Sequence, residues 1–207
     1  MRSVFVTPEH CIGCKHCEIA CAVEHSKSKD LFQAISESPI SRPRIYVEPG
    51  IDYLTFPSKC RHCDPAPCLQ VCPTNAIYRD RETEFVEIDH NRCIGCQMCA
   101  IVCPFGVISF GKTWEAGIHN VNIKCDGCID RLKEKELPAC VEACKTGALE
   151  FGEINELIKK SRRDFTLRVT MTPEAAEEIP AIPPNIKLFR ELMKEMEYVG
   201  PFEAQQK

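Results

Sequence analysis

Short apolar–polar runs alternate with cysteine-bearing loops over the first 150 or so residues, and the arrangement recurs. At an offset of 82 residues, Val4-x-Val6 aligns with Val86-x-Ile88, Cys11-Ile12-Gly13-Cys14 with Cys93-Ile94-Gly95-Cys96, and Cys21 with Cys103. In each copy a short alternating strand is predicted to lead into a loop. A second recurrence follows the later loops: Thr74 to Tyr78, Phe105 to Phe110 and Thr146 to Phe151 each read as a turn and a short returning strand. Arg81 and Glu82 fall in a predicted hairpin turn between Ile77-Tyr78 and Phe85-Val86. No such strand follows Cys21. Instead a polar insertion runs from Ala22 to Arg42, before a predicted strand over Arg44 to Glu48.

Beyond about residue 152 the pattern changes. Ile154, Leu157 and Ile158 predict a helix, Phe165 to Met171 a strand, and Thr172-Pro173 an N-cap with a first-turn proline. Pro180, Pro183 and Pro184 predict a stiff linker. Asn185 would then cap a last helix with Ile186, Phe189, Leu192, Met193 and Met196 on its apolar face.

The sixteen cysteines give the pattern its meaning. They form four sets with none left over: Cys11, Cys14, Cys17, Cys21; Cys60, Cys63, Cys68, Cys72; Cys93, Cys96, Cys99, Cys103; and Cys125, Cys128, Cys140, Cys144. Sets one and three read C-x2-C-x2-C-x3-C, the bacterial ferredoxin run for a [4Fe–4S] cluster, whose fourth cysteine serves a neighbouring cluster. Pro73 and Pro104 directly follow their sets, as in that run. Thiolate is the soft ligand iron requires. Zinc is the rival, because C-x2-C pairs also build zinc ribbons, but zinc needs no third cysteine two residues on. A disulfide framework is disfavoured, since Met1-Arg2-Ser3-Val4 begins no signal peptide.

Gly13, Gly95 and Gly127 sit inside C-x-G-C turns, where a missing Cβ lets the backbone pass close to a cluster and donate amides to it. The second set has Arg61-His62 there, with Arg61 expected to face solvent. In set four, Asp130 to Ala139 fills the widened gap and predicts a charged surface helix. This stretch and the Ala22–Arg42 insertion are read either as solvated loops or as docking surfaces. Every set already has four thiols, so His10, His16, His25, His62, His90 and His119 are expected at the surface or behind the ligands. Trp114 is expected to pack.

Composition adds limits. Aromatics are 7% of 207 residues, so clusters must supply much of the interior and the metal-free chain should be largely unfolded. The formal charge of −4 would approach about −12 with four oxidised cubanes, each about −2 with its thiolates, which disfavours nucleic acid as a partner. No apolar run approaches the roughly 20 residues of a membrane span. There is no twin-arginine leader. The expectation is a cytoplasmic protein without a span, able to dock on a membrane-bound partner. No G-x-G-x-x-G, P-loop or nucleophile–base constellation is found, so no catalytic residue is named.

The order of the sets, with C-x2-C-x4-C-x3-C second and C-x2-C-x11-C-x3-C fourth, resembles the four-cluster electron-transfer subunits of the dimethyl sulfoxide reductase iron–sulfur family, from Ser3 to Phe151. Cys17 to Ser26 and Arg42-Pro43-Arg44-Ile45 look most like the family's iron–sulfur protein that partners nickel carbon monoxide dehydrogenase. The resemblance implies a lacing. Cys11, Cys14 and Cys17 would be completed by Cys144; Cys125, Cys128 and Cys140 by Cys21; Cys60, Cys63 and Cys68 by Cys103; and Cys93, Cys96 and Cys99 by Cys72.

The fold expected is α+β, a duplicated bacterial ferredoxin-like body of two lobes with two [4Fe–4S] clusters each, plus a C-terminal extension. Residues 1–59 and 105–152 would form the lobe of sets one and four, 60–104 that of sets two and three, and 153–207 the extension. The function expected is a non-catalytic subunit relaying electrons through four clusters. It would connect a catalytic redox subunit, carbon monoxide dehydrogenase before a tungsten or molybdenum aldehyde- or formate-type oxidoreductase, to an acceptor such as a hydrogenase or flavoprotein. A zinc-bound interaction module is the alternative of another class.

Overall fold

In a computed structural model, residues 2–51, 54–116 and 120–170 and the single positions 188 and 192 are described. The architecture is α+β and built from hairpin-sized pieces. The strands are β1 (Arg2–Val6), β2 (Ile45–Pro49), β3 (Thr55–Lys59), β4 (Ile77–Arg79), β5 (Val86–Ile88), β6 (Ser109–Lys112), β7 (Asn120–Ile123) and β8 (Leu149–Glu153). They form four two-stranded antiparallel ladders, β2 with β3, β4 with β5, β6 with β7, and β1 with the distant β8. In the last ladder Val6 stands opposite Leu149 and Arg2 opposite Glu153.

Such ladders are marginal alone, and short helices carrying cysteines pack them. The short helices are α1 (His16–Glu24), α2 (Leu31–Ala34), α3 (Pro67–Gln70), α4 (Met98–Ile101), α5 (Ile129–Lys133) and α6 (Ala139–Glu142), of which α2 and α5 carry no cysteine. Helices α1, α3, α4 and α6 each hold the third cysteine of a set near their start, so one helical turn carries the chain from the third cysteine to the fourth. Buried residues gather in two groups. One holds Cys11, Cys17, Cys21, Cys140, Ile45, Val47, Ala148 and Leu149. The other holds Ala66, Ile77, Val86 and Cys99, with Cys68 and Cys72 packed against it.

The hairpin at Arg81-Glu82 and the three returning strands form where the alternation predicts them. Three other expectations are corrected. Residues Phe165 to Thr170 are helical, the end of the 17-residue α7 (Ile154–Thr170). Among the described residues no strand pairs with Leu167 or Val169, and Thr166 and Thr170 hydroxyls bond carbonyls four residues back, as in a helix. The charged helix ends early, at Lys133. Pro138 disfavours helix in the residue before it, and Lys135 turns the chain at φ +65°. Trp114 is left 44% exposed rather than packed inside; its indole N–H donates to the His25 carbonyl at 2.9 Å.

The insertion after α1 is fastened. Asp30 caps α2 by accepting from the amides of Phe32 and Gln33, and the Glu37 carboxylate accepts from those of Lys27 and Ser28. It leaves Phe32, Ile35 and Ile40 exposed. The N-cap at Thr172, the proline linker, most of the last helix and His119 lie outside the described residues, although positions 188 and 192 are helical.

Candidate metal centres

Each cysteine loop is shaped by left-handed backbone. Gly127 has φ +73°, and a Cβ built there would lie 2.4 Å from the Phe85 ring. Set two places His62 at the equivalent position, also left-handed at φ +49°. The His62 ring lies 4.5 Å from the Phe85 ring, and its Nδ1 accepts the Val86 amide at 3.0 Å. Burial first, then Lys124 and Lys59, holds His62 neutral, well below its ordinary value. Phe85 therefore separates the turn of set two from that of set four. Arg61 stays exposed, with its guanidinium 4.8 Å from the Phe105 ring.

The thiols gather in fours drawn from different sets. One cavity is lined by Cys93, Cys96, Cys99 and Cys72. Another is lined by Cys60, Cys63, Cys68 and Cys103. Around Cys17 stand Cys144, Cys11 and Cys14; burial, then these neighbours in that order, pushes its thiol up to about 12. Around Cys21 stand Cys125, Cys140 and Cys128, and burial again leads in raising it, against the Arg44 amide. Cys99 is raised to about 11 by burial and by Cys68, Cys93 and Cys96. Four thiols crowded this closely cannot ionise together without a cation between them, so the donor set is one that iron completes.

The groups also follow one another. Cys140 is raised to about 12 by burial and Cys125, with Cys17 of the neighbouring group adding to it. Cys60 acts on Cys125, and Cys68 on Cys99. Of all sixteen cysteines only Cys14 and Cys96 are exposed, and they belong to the first and last groups of this succession.

Donors surround the sulfurs. The amides of Arg44 and Ala76 each reach a sulfur at 3.2 Å, that of Cys21 and that of Cys72. Those of His62 and Gly127 lie 3.4 Å from Cys60 and Cys125. Thr74 and Thr146 hydroxyls stand 3.7 Å from Cys72 and Cys144. Such bonds stabilise the more negative reduced state.

One polar network was not legible from spacing. Asp126 accepts from His25 Nε2 at 3.0 Å, Arg44 Nη1 at 2.7 Å and the Cys128 amide at 2.9 Å. Burial would raise its carboxyl, but His25 and Arg44 hold it well below the usual range. Arg44 also reaches Glu115, which His90 pairs at 2.7 Å. The sequence marks Asp126 only by its place between Cys125 and Gly127, and its partners are remote in the chain.

An α+β chain whose thiols gather four by four is an iron–sulfur protein of the multi-cluster kind. A family model described as a 4Fe-4S dicluster domain matches residues 51–154. Over 160 residues the chain is 38% identical to an iron-sulfur protein of Rhodospirillum rubrum, covering 73% of this chain and 82% of that one. It is 37% identical over 171 residues to the B subunit of anaerobic dimethyl sulfoxide reductase of Escherichia coli, covering 75% of each. With the electron transport protein HydN of Escherichia coli it shares 36% identity over 180 residues, 80% of this chain and 98% of that one. The chain belongs to this 4Fe–4S dicluster family of electron-transfer subunits, and four [4Fe–4S] clusters are its cofactors. Zinc gives way on the same match.

Proposed function

We propose that the chain is a non-catalytic wire that passes electrons through its four clusters between a catalytic redox subunit and an acceptor. The clusters supply one-electron capacity when bound, and the protein fixes their order, spacing and surroundings. The observation that carries the reading is the succession of thiol groups with one exposed cysteine at each end, Cys14 and Cys96. A wire needs an entrance and an exit, and every other cysteine is at least partly buried.

The ligand sets proposed are Cys11, Cys14, Cys17 with Cys144; Cys125, Cys128, Cys140 with Cys21; Cys60, Cys63, Cys68 with Cys103; and Cys93, Cys96, Cys99 with Cys72. The neighbourhoods of Cys17 and Cys21 and the two cavities support them. Two lobes, residues 1–59 with 105–152 and residues 60–104, are the division proposed, supported by the two buried groups. The test is Cys72→Ser. The EPR signal of the cluster bound by Cys93, Cys96 and Cys99 should be lost or altered while that of Cys60, Cys63 and Cys68 persists. The reverse pattern overturns the lacing.

The finer proposal for the catalytic partner is carbon monoxide dehydrogenase, supported by the stretches Cys17–Ser26 and Arg42–Ile45. The relative from anaerobic dimethyl sulfoxide reductase favours a molybdenum or tungsten oxidoreductase instead. Metal analysis of the complex that purifies anaerobically with the chain separates them: nickel supports the first, molybdenum or tungsten the second. A cytoplasmic setting is proposed with either. Among the described residues no helix is long and apolar enough to cross a membrane.

A further inference from the structure

Sets two and four share a feature that the 82-residue repeat does not reveal. Each is preceded by a lysine, in Lys59-Cys60-Arg61-His62-Cys63 and Lys124-Cys125-Asp126-Gly127-Cys128. Sets one and three have His10 and Arg92 at that place. Both lysines are buried, 6% and 4% exposed, although lysine is among the residues least often found inside.

Their ammonium groups find only carbonyls. Lys59 Nζ donates to the Cys60 carbonyl at 3.0 Å. Lys124 Nζ donates to the Cys125 carbonyl at 2.8 Å and to that of Val86. Among the described residues neither has a carboxylate within ion-pair distance. Glu87, whose field Lys124 feels, is itself held up to about 8, chiefly by burial. Two unneutralised cations in one interior are costly unless an anion lies close by.

The anion is supplied crosswise. Lys59 adjoins Cys60 of set two, yet it also neighbours Cys125 and Cys140 of set four. Lys124 adjoins Cys125 of set four, yet it acts on Cys68 of set two. Both act on His62, and His62 and Gly127 meet across Phe85, so the two lysines flank the junction between these groups.

Resting on the ligand sets proposed above, the structure assigns Lys59 and Lys124 as a reciprocal pair of buried positioning cations at the junction of the clusters of sets two and four. They raise the reduction potentials of both clusters, the two middle stations of the wire. A reduced cluster carries one more negative charge than an oxidised one, and a fixed cation nearby stabilises the reduced form. A unit charge acting across roughly 10 Å at an effective dielectric near 20 changes a one-electron equilibrium by about tenfold. For a one-electron couple that is ~59 mV.

The experiment is EPR-monitored redox titration of the anaerobically purified, fully loaded protein and of its Lys59→Met and Lys124→Met variants. Iron content and four intact cluster signals establish that the proposed ligand sets are loaded, before any potential is compared. Cys68→Ser and Cys140→Ser assign the middle signals. Each Met variant should lower both middle potentials by about tenfold in the reduction equilibrium and leave the outer two unmoved. A shift confined to the lysine's own set, an equal shift of all four clusters, or no shift overturns the assignment. Should the Met variants fail to load iron, Lys59→Arg and Lys124→Arg, which keep the charge, should load and retain the wild-type potentials. Arginine variants that also fail to load, or that move the potentials as far as loss of charge is expected to, show that shape rather than charge is what the site requires.

Discussion

Gly127→Ala isolates a steric constraint on one cluster loop. Gly106 is its control, because both residues are left-handed, at φ +73° and +61°, but differ in their surroundings. A Cβ on Gly106 meets nothing within 4 Å, whereas one on Gly127 lies 2.4 Å from two atoms of the Phe85 ring. The left-handed conformation costs an alanine about 1–2 kcal/mol at either site. Overpacking against the ring adds about 1–3 kcal/mol at Gly127 alone. Phe85 is buried and wedged against His62, so it has little room to yield. Unfolding of a metal-loaded protein is not two-state, so the assay is the rate at which the visible absorbance bleaches in an anaerobic chelator. If the strain is released before iron leaves, the added cost appears in the rate as roughly a 5- to 150-fold faster loss than in Gly106→Ala. Phe85→Leu in the Gly127→Ala background should recover part of it. Equal bleaching rates in the two glycine variants would refute the contact argument.

Glu87 is raised to about 8, by burial first, and its Oε1 has no hydrogen-bond partner. The folded state then binds more protons than the unfolded one between the ordinary carboxylate value and about pH 8, so stability falls as pH rises through that window. Glu87→Gln should resist iron loss better than wild type at pH 8.5 and equally at pH 4.5, and a pH-independent difference would refute this. Trp114, the one tryptophan of the chain, donates to the His25 carbonyl, so Trp114→Phe should bleach up to roughly 5-fold faster in the same chelator assay, and an unchanged rate would refute this. Ile94, Met98 and Ile101 are exposed around the exposed Cys96, while Lys15 and His16 flank the exposed Cys14. Ile101→Glu should therefore slow electron exchange with one redox partner and spare the other, measured by stopped-flow; equal slowing with both would argue against two distinct ends.

The strands and cysteine loops were legible because their signals are local: Val86-x-Ile88 alternates, and Cys93 to Cys103 is a contiguous run. The gathering of Cys17 with Cys144, or of Cys99 with Cys72, is a property of ladders such as β1–β8 and has no local signal; only the family resemblance pointed to it. The misread segment at Phe165 to Thr170 has β-branched and aromatic residues that suit a strand, but no neighbouring strand is there to receive them. Asp126, His25 and Arg44 escaped for the same reason as the cysteine groups, since their pairing spans remote parts of the chain. The Lys-Cys recurrence is present in the sequence but masked, because it follows an offset of 65 rather than the 82 of the more visible repeat.

The β1–β8 ladder also dictates an order of events during synthesis. The strand Arg2–Val6 leaves the ribosome early, yet its partner Leu149–Glu153 follows only after roughly 140 more residues. At about 5–20 residues per second, the first strand waits on the order of 7 to 30 s with its edges unsatisfied. The local hairpin β4–β5 can close long before then. Assembly therefore begins with sets two and three, and iron delivered to the nascent chain would find these ready while the first cysteines still lacked their neighbours from set four. A shortage of iron, or a stall in translation before Leu149, should leave chains with sets two and three loaded and sets one and four open, the species a quality-control protease would meet first.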